Sequence, residues 1–269
     1  MLSLIKTDLK RILKDKLLIV IGILCIVFAV STPLLLFAVS GMSEDAAQML
    51  GMSIDAKTLF FQSFNPANDF GLIGGILLCV ILCKDFSQGT VRNKIICGKT
   101  RNQIYLANFI SCVIVLCSLM VIYAFITLGV SLIFFDYQAT AFTANDFGYA
   151  VVSLVFKILT FVVVSALITA LSVSMKNAGL CMVMYIAVTM VFSIVGTAFM
   201  MVQPFVSDNV FLETLLEIVV KCNVFATTVV GNGVTYSVLD VVYIVVSNVV
   251  FGVLFYVLGM MIFSKKDLK

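Results

Sequence analysis

The chain has 269 residues, of which 62% are hydrophobic and 12% charged, with a net charge of +3 and a mean hydropathy of +1.18. Soluble domains run about 45–50% apolar and about 25% charged, so the polar surface here is too small to cover a water-soluble globule. With no His and no Trp, His-based catalysis, His-ligated metal and c-type haem drop out. What the composition predicts is an all-α, polytopic membrane protein.

Residues 1–16, MLSLIKTDLKRILKDK, set Leu2, Ile5, Leu9, Ile12 and Leu13 on one helical stripe, with Lys6, Lys10, Arg11 and Lys14 on the remainder. This is the pattern of an amphipathic helix in the cytoplasmic interface, its basic face towards anionic headgroups. A helix rises about 1.5 Å per residue, so a hydrocarbon core of about 30 Å takes roughly 20 apolar residues. Residues 17–39 supply a first span, and their length exceeds the 7–15 residues of a cleaved signal's apolar region, so a retained span is expected. Residues 64–83 form a second span, with Gly71 and Gly75 spaced for close helix approach. Residues 84–103 are polar and mostly basic. Gly89 and Gly98 mark breaks within them, predicting a short helix over 90–97 with Val91, Ile95 and Ile96 on one side. Such a helix suits docking into a groove on a soluble partner, although a plain solvated loop fits the composition equally.

Residues 104–135 and 147–173 give the third and fourth spans. Lys157 is the one charge far from either end of its span. Two readings stand: a cation facing a central pathway, or a side chain snorkelling outward while the span begins near Ile158. Ser165, Ala166, Thr169 and Ala170 offer a second small-residue contact. Residues 179–202 are the fifth span and 239–263 the sixth. Between them, residues 203–238 read as an external segment, with a short helix over 211–222, an interfacial or re-entrant piece over 224–230 and a turn at Gly231-Asn232-Gly233. Asp69, Asp136, Asp146 and Asp240 fall near the outer boundary.

Charge supports this layout. Residues 1–16, 84–103, 174–178 and 264–269 share one side of a six-span chain and hold 14 of the 17 Lys and Arg. Basic residues collect on the cytoplasmic side, so both termini are expected there. Because these cations adjoin hydrophobic spans, they signal topology and imply no nucleic acid. The 8 Cys form no disulfide framework, and Cys79 and Cys83, four apart, read as apolar packing residues. Gly98-Lys99-Thr100 ends like a phosphate-binding loop, but Asn93 stands where the first glycine belongs and no strand precedes it, so no ATP site is expected in this chain.

The order of parts, with Asp85, Phe86, Gly89, Thr90, Arg92, Asn93 and Lys94 followed by Gly98, Lys99, Arg101 and Tyr105, resembles the type 2 ATP-binding-cassette (ABC) permeases. It is closest to small Gram-positive permeases of peptide-antibiotic efflux and bacteriocin immunity, and the likeness covers nearly the whole chain. The family more often has Glu where Asp85 stands. The resemblance implies one permease domain over 1–269, with 84–103 as the coupling segment and Asp85, Phe86, Gly89, Thr90, Arg92, Asn93 and Lys94 as ATPase-coupling residues. It implies a bacterial plasma membrane, a second permease as homo- or heterodimer, and separate ATPase subunits that carry ATP and Mg. The chain itself would have no cofactor and no catalytic centre. The cargo would be hydrophobic or amphipathic, a peptide or antibiotic, with Lys157 a candidate pathway residue. The competing readings are a stand-alone ion-coupled carrier or channel, and a scaffold that transports nothing. The rim position of the acids disfavours the carrier.

Overall fold

In the computed structural model, residues 1–40, 59–60, 63, 69–134, 144–175, 177–202, 210–223 and 238–266 are described, and helix is their only regular structure. In chain order the helices are α1 (Leu2–Lys14), α2 (Lys16–Ser40), α3 (Asp69–Ser87), α4 (Thr90–Ile96), α5 (Arg101–Phe134), α6 (Ala144–Ser174), α7 (Ala178–Val202), α8 (Val210–Cys222) and α9 (Val238–Lys265). Five contain stretches long and apolar enough to cross a membrane: Lys16–Ala38, Arg101–Phe134, Leu154–Ser174, Ala178–Phe199 and Val241–Lys265. A sixth is reached if Ile73–Phe86 and Thr90–Ile96, which meet at 51°, count as one span. The chain thus has the build of a multi-pass helical membrane protein.

The spans expected from hydropathy coincide with these helices to within a few residues, because a run of apolar residues in lipid has no other way to satisfy its backbone. Residues 64–68 of the expected second span, most of the first external loop, Asp136, residues 224–230 and the Gly231-Asn232-Gly233 turn lie outside the described residues. The short helix expected over 211–222 is α8. Around Lys157 there is no break, since α6 is continuous from Ala144 to Ser174.

At the heart of the bundle is α6, packed on α3, α5, α7 and α9 and buried over Phe161, Val164, Leu167 and Ile168. Towards the outside, α2, α7 and α9 present apolar stripes such as Val242, Val246, Val249, Val253 and Val257. Such surface on a water-soluble monomer would be an aggregation liability, whereas lipid accepts it. Two glycines set close crossings. A Cβ on Gly75 would land on the Tyr185 ring, and one on Gly259 would lie 2.8 Å from Ala170 Cα and meet the Tyr105 hydroxyl. The small residues Ser165, Ala166, Thr169 and Ala170 are buried within the chain.

The face of α1 that packs into the bundle is offset from its apolar stripe. Its buried face is Leu4, Asp8 and Ile12, an i, i+4, i+8 row, while Leu2 and Leu13 are 84% and 62% exposed. The helix is rotated from the face that hydrophobicity picks out, because an acid buried on it is answered by cations from elsewhere. Arg11, on the basic side of the helix, reaches Asp85 of α3 while staying partly exposed.

Candidate functional site

At one end of the bundle α1, the α3–α4 junction, the start of α5 and the end of α9 meet. Glycine makes the junction. Gly89 stands at the N-cap of α4 with φ 69°, in the left-handed region where a side chain would be strained, and lets the chain bend between α3 and α4. Thr90 Oγ1 donates to the Asp85 carbonyl oxygen at 2.7 Å and secures the bend. At the far end Gly98, φ 78°, closes α4. Its N–H donates to Ile95 O at 2.9 Å and that of Lys99 to Lys94 O at 3.2 Å, the double bond of a helix ending on a left-handed glycine.

The helix so delimited is held from behind by charge. Asp85 is buried and ion-paired to Arg11 of α1. Lys94 reaches back to Asp8 Oδ1 at 2.6 Å and donates to Asn108 Oδ1 of α5 at 3.4 Å. Asp8 is 1% exposed, and its second oxygen receives no hydrogen bond. Outside this pair, Lys84 spans both oxygens of Asp15 at 3.2 Å, and Asp15 caps α2 by accepting from Leu17 N–H at 3.0 Å. Burial pushes the Asp15 carboxyl up, but the Leu17 N–H and the Lys84 ammonium outweigh it and hold the group below its ordinary value.

Aromatic packing joins the last helix to this end. Phe86 meets Phe263 edge-on at 6.0 Å, and Lys266 stands 5.4 Å over the Phe86 ring. Arg101 Nη1 donates to the carbonyls of Phe263, Ser264 and Lys266, at 3.3, 2.7 and 3.0 Å, closing the α9 C-terminus with a cation where helix carbonyls are unpaired. Val91, Ile104, Tyr105, Val173 and Phe263 form a small separate core beneath α4.

The seven coupling candidates therefore divide. Asp85, Phe86, Gly89, Thr90 and Lys94 are spent on holding α4 in place, and Arg92 and Asn93 point outward. Ile96, expected beside Val91, lies on the outward face and is 74% exposed next to exposed Cys97. Ile96 follows Val91 by five residues, about 140° around a helix of 3.6 residues per turn, so it points away from the core that takes Val91 and Ile95. Sequence reasoning missed Asp8, Asn108 and Lys266. The one available signal was an acid placed four residues from Leu4 and from Ile12.

Lys157 stands apart, about 24 Å along α6 from Val173 at 1.5 Å per residue. It is 6% exposed. Val163 faces Gly252 and Ala170 faces Gly259, so α6 and α9 run parallel, which sets Lys157 and Thr160 level with Ser247 and Asn248 of α9. All four are buried, and Asn248 Oδ1 has no hydrogen-bond partner. Among the described residues no carboxylate pairs with Lys157.

No protein-family model matches this chain, and no curated protein matches it.

Proposed function

We propose that the chain is the membrane-spanning subunit of a bacterial ABC exporter, working with a second permease and separate ATPase subunits that carry ATP and Mg. In this reading α2, α3, α5, α6, α7 and α9 are six spans of a plasma-membrane protein with both termini in the cytoplasm. The second is α3 alone, whose 19 residues reach about 28 Å. The basic, outward-facing Thr90–Ile96 is then a cytoplasmic helix and no part of a span. The meeting of α1, α4 and the end of α9 at one end of the bundle supports an even count.

The observation that carries the reading is the division within α4. Arg92, Asn93 and Ile96 form an exposed basic and apolar face, while Lys94, Thr90 and the adjacent Asp85 bind the same helix to α1, α3 and α5. A surface helix held by buried ion pairs transmits a push without slack. Closure of an ATPase pair against it would reach three helices together and switch the pathway between inward- and outward-open states. The cargo is a hydrophobic or amphipathic peptide or antibiotic. Lys157, buried in a polar layer of α6 and α9, is a pathway residue that meets an anionic part of it, and unchanged transport in Lys157→Met would remove that role.

The test is co-purification from native membranes. An Mg-dependent ATPase accompanies the wild-type chain, and Arg92→Glu with Ile96→Asp releases it while the chain's thermal midpoint stays unchanged, since neither side chain is buried. A chain that purifies alone and transports in liposomes without any ATPase would overturn the proposal.

A further inference from the structure

Between the end of α1 and the end of α3 lies a cleft of about 220 Å³, lined by Arg11, Lys14, Lys84, Asp15, Asp85 and Gln88 over an apolar floor. Three cations face two carboxylates, and both carboxylates are already answered. Asp85 takes Arg11, and Asp15 takes Lys84 at 3.2 Å. Lys14 is the surplus charge, exposed and without an ion pair among the described residues. Arg11 pairs with Asp85 and, at 3.8 Å, with Asp8, both through Nη2, so Nη1 and Nε make no hydrogen bond among the described residues. A cavity with one net positive charge and unused guanidinium donors fits a singly charged oxyanion, since a planar fork of donors matches phosphate oxygens. The volume is below the roughly 300–1,000 Å³ of small-molecule pockets, so a headgroup-sized ligand is indicated.

The surroundings identify where that oxyanion comes from. The apolar stretch of α2 begins at Lys16, directly after Asp15, which places the cleft at the level where a span enters lipid. Ile19, Ile23 and Ile26, spaced at helical intervals above Asp15, form an exposed stripe that rises from this level, and exposed Leu13 adjoins Lys14. A free phosphate would use only the polar half of this arrangement. We propose that the cleft is a headgroup site for an anionic phospholipid, with its phosphodiester between Arg11, Lys14 and Lys84 and an acyl chain along Ile19, Ile23 and Ile26. The site needs only the membrane placement, so its failure would leave the permease reading standing.

The full chain reconstituted in phosphatidylcholine nanodiscs with increasing phosphatidylglycerol tests this, with retained lipid counted by native mass spectrometry. Wild type retains phosphatidylglycerol in preference to phosphatidylcholine. Lys14→Gln weakens that preference about fivefold, the effect of one basic residue near an anionic surface. Lys265→Gln, another exposed cation at the same end of the bundle, leaves it unchanged. Lys14 supports no ion pair among the described residues, so its replacement does not threaten folding, and an unshifted thermal midpoint in phosphatidylcholine verifies this. Equal retention of the two lipids, or an equal loss in Lys265→Gln, would overturn the site. A rise of the thermal midpoint with inorganic phosphate in pure phosphatidylcholine, abolished by Lys14→Gln, with no lipid preference, would assign the cleft to free phosphate and overturn the lipid.

Discussion

Asp8 is an acid buried to 1% exposure on a helix whose other charges are basic, and it is ion-paired to Lys94 of α4 at 2.6 Å and more loosely to Arg11 at 3.8 Å. Removing one partner of a buried pair leaves an uncompensated charge, which costs about 3–5 kcal/mol. Lys94→Met should therefore lower the thermal midpoint of the purified chain markedly, and adding Asp8→Leu should recover most of the loss. If Lys94→Met alone changed nothing, the clasp would not bear on stability. Asp15 adds a pH dependence. Its folded value is depressed below the ordinary carboxylate value of about 3.9, so its stabilisation is present above that value and fades as pH falls through the folded one. Asp15→Asn should flatten this acid limb in a plot of thermal midpoint against pH, and an unaltered limb would place the titration elsewhere. Neither pairing was legible in the sequence. Lys94 and Asp8 are 86 positions apart, and nothing local marks either for the other.

For whole helices the decisive contacts are the places without a side chain. Gly75 lies against the Tyr185 ring, and a methyl there must drive α3 from α7. Overpacking of this kind costs about 1–3 kcal/mol. Gly22 of α2 has nothing within 4 Å of the position its Cβ would occupy, so Ala there gains helix propensity of up to about 1 kcal/mol. Measured side by side, Gly75→Ala should lower the thermal midpoint and Gly22→Ala should hold or raise it; the reverse order would refute the close crossing. The Gly71/Gly75 spacing announced a tight helix pair, but Tyr185 as its partner depended on which helix lay opposite. Gly259, pressed on Ala170, carried no pattern at all, for its neighbours in sequence are ordinary span residues.

Across the whole molecule the proposed six spans put Cys97 and Cys222 on opposite sides of the membrane. Cys97 is exposed and Cys222 half-buried, while Cys25, Cys79, Cys83, Cys112 and Cys181 are buried. A membrane-impermeant maleimide added to intact cells should label Cys222 and spare Cys97, which reacts only after permeabilisation. Labelling of both from the same side would reject an odd number of crossings between them and with it the proposed layout. The same end-to-end order explains why the small core under α4 matters. Val91, Tyr105 and Phe263 come from three regions of the chain, so the seat of α4 is built jointly with α5 and α9.

The sequence by itself determined the class of the molecule and the extents of its long helices. Hydropathy is a local property, and in lipid the backbone leaves an apolar run of this length no alternative to helix. It also determined the bounds of the short basic helix, since Gly89 and Gly98 take left-handed conformations that other residues avoid. Only the tertiary structure decided which face of α1 is buried, which of the seven motif residues hold and which are presented, and what opposes each glycine. Those outcomes depend on side chains brought together from distant positions, where a buried charge goes to whichever partner packing delivers.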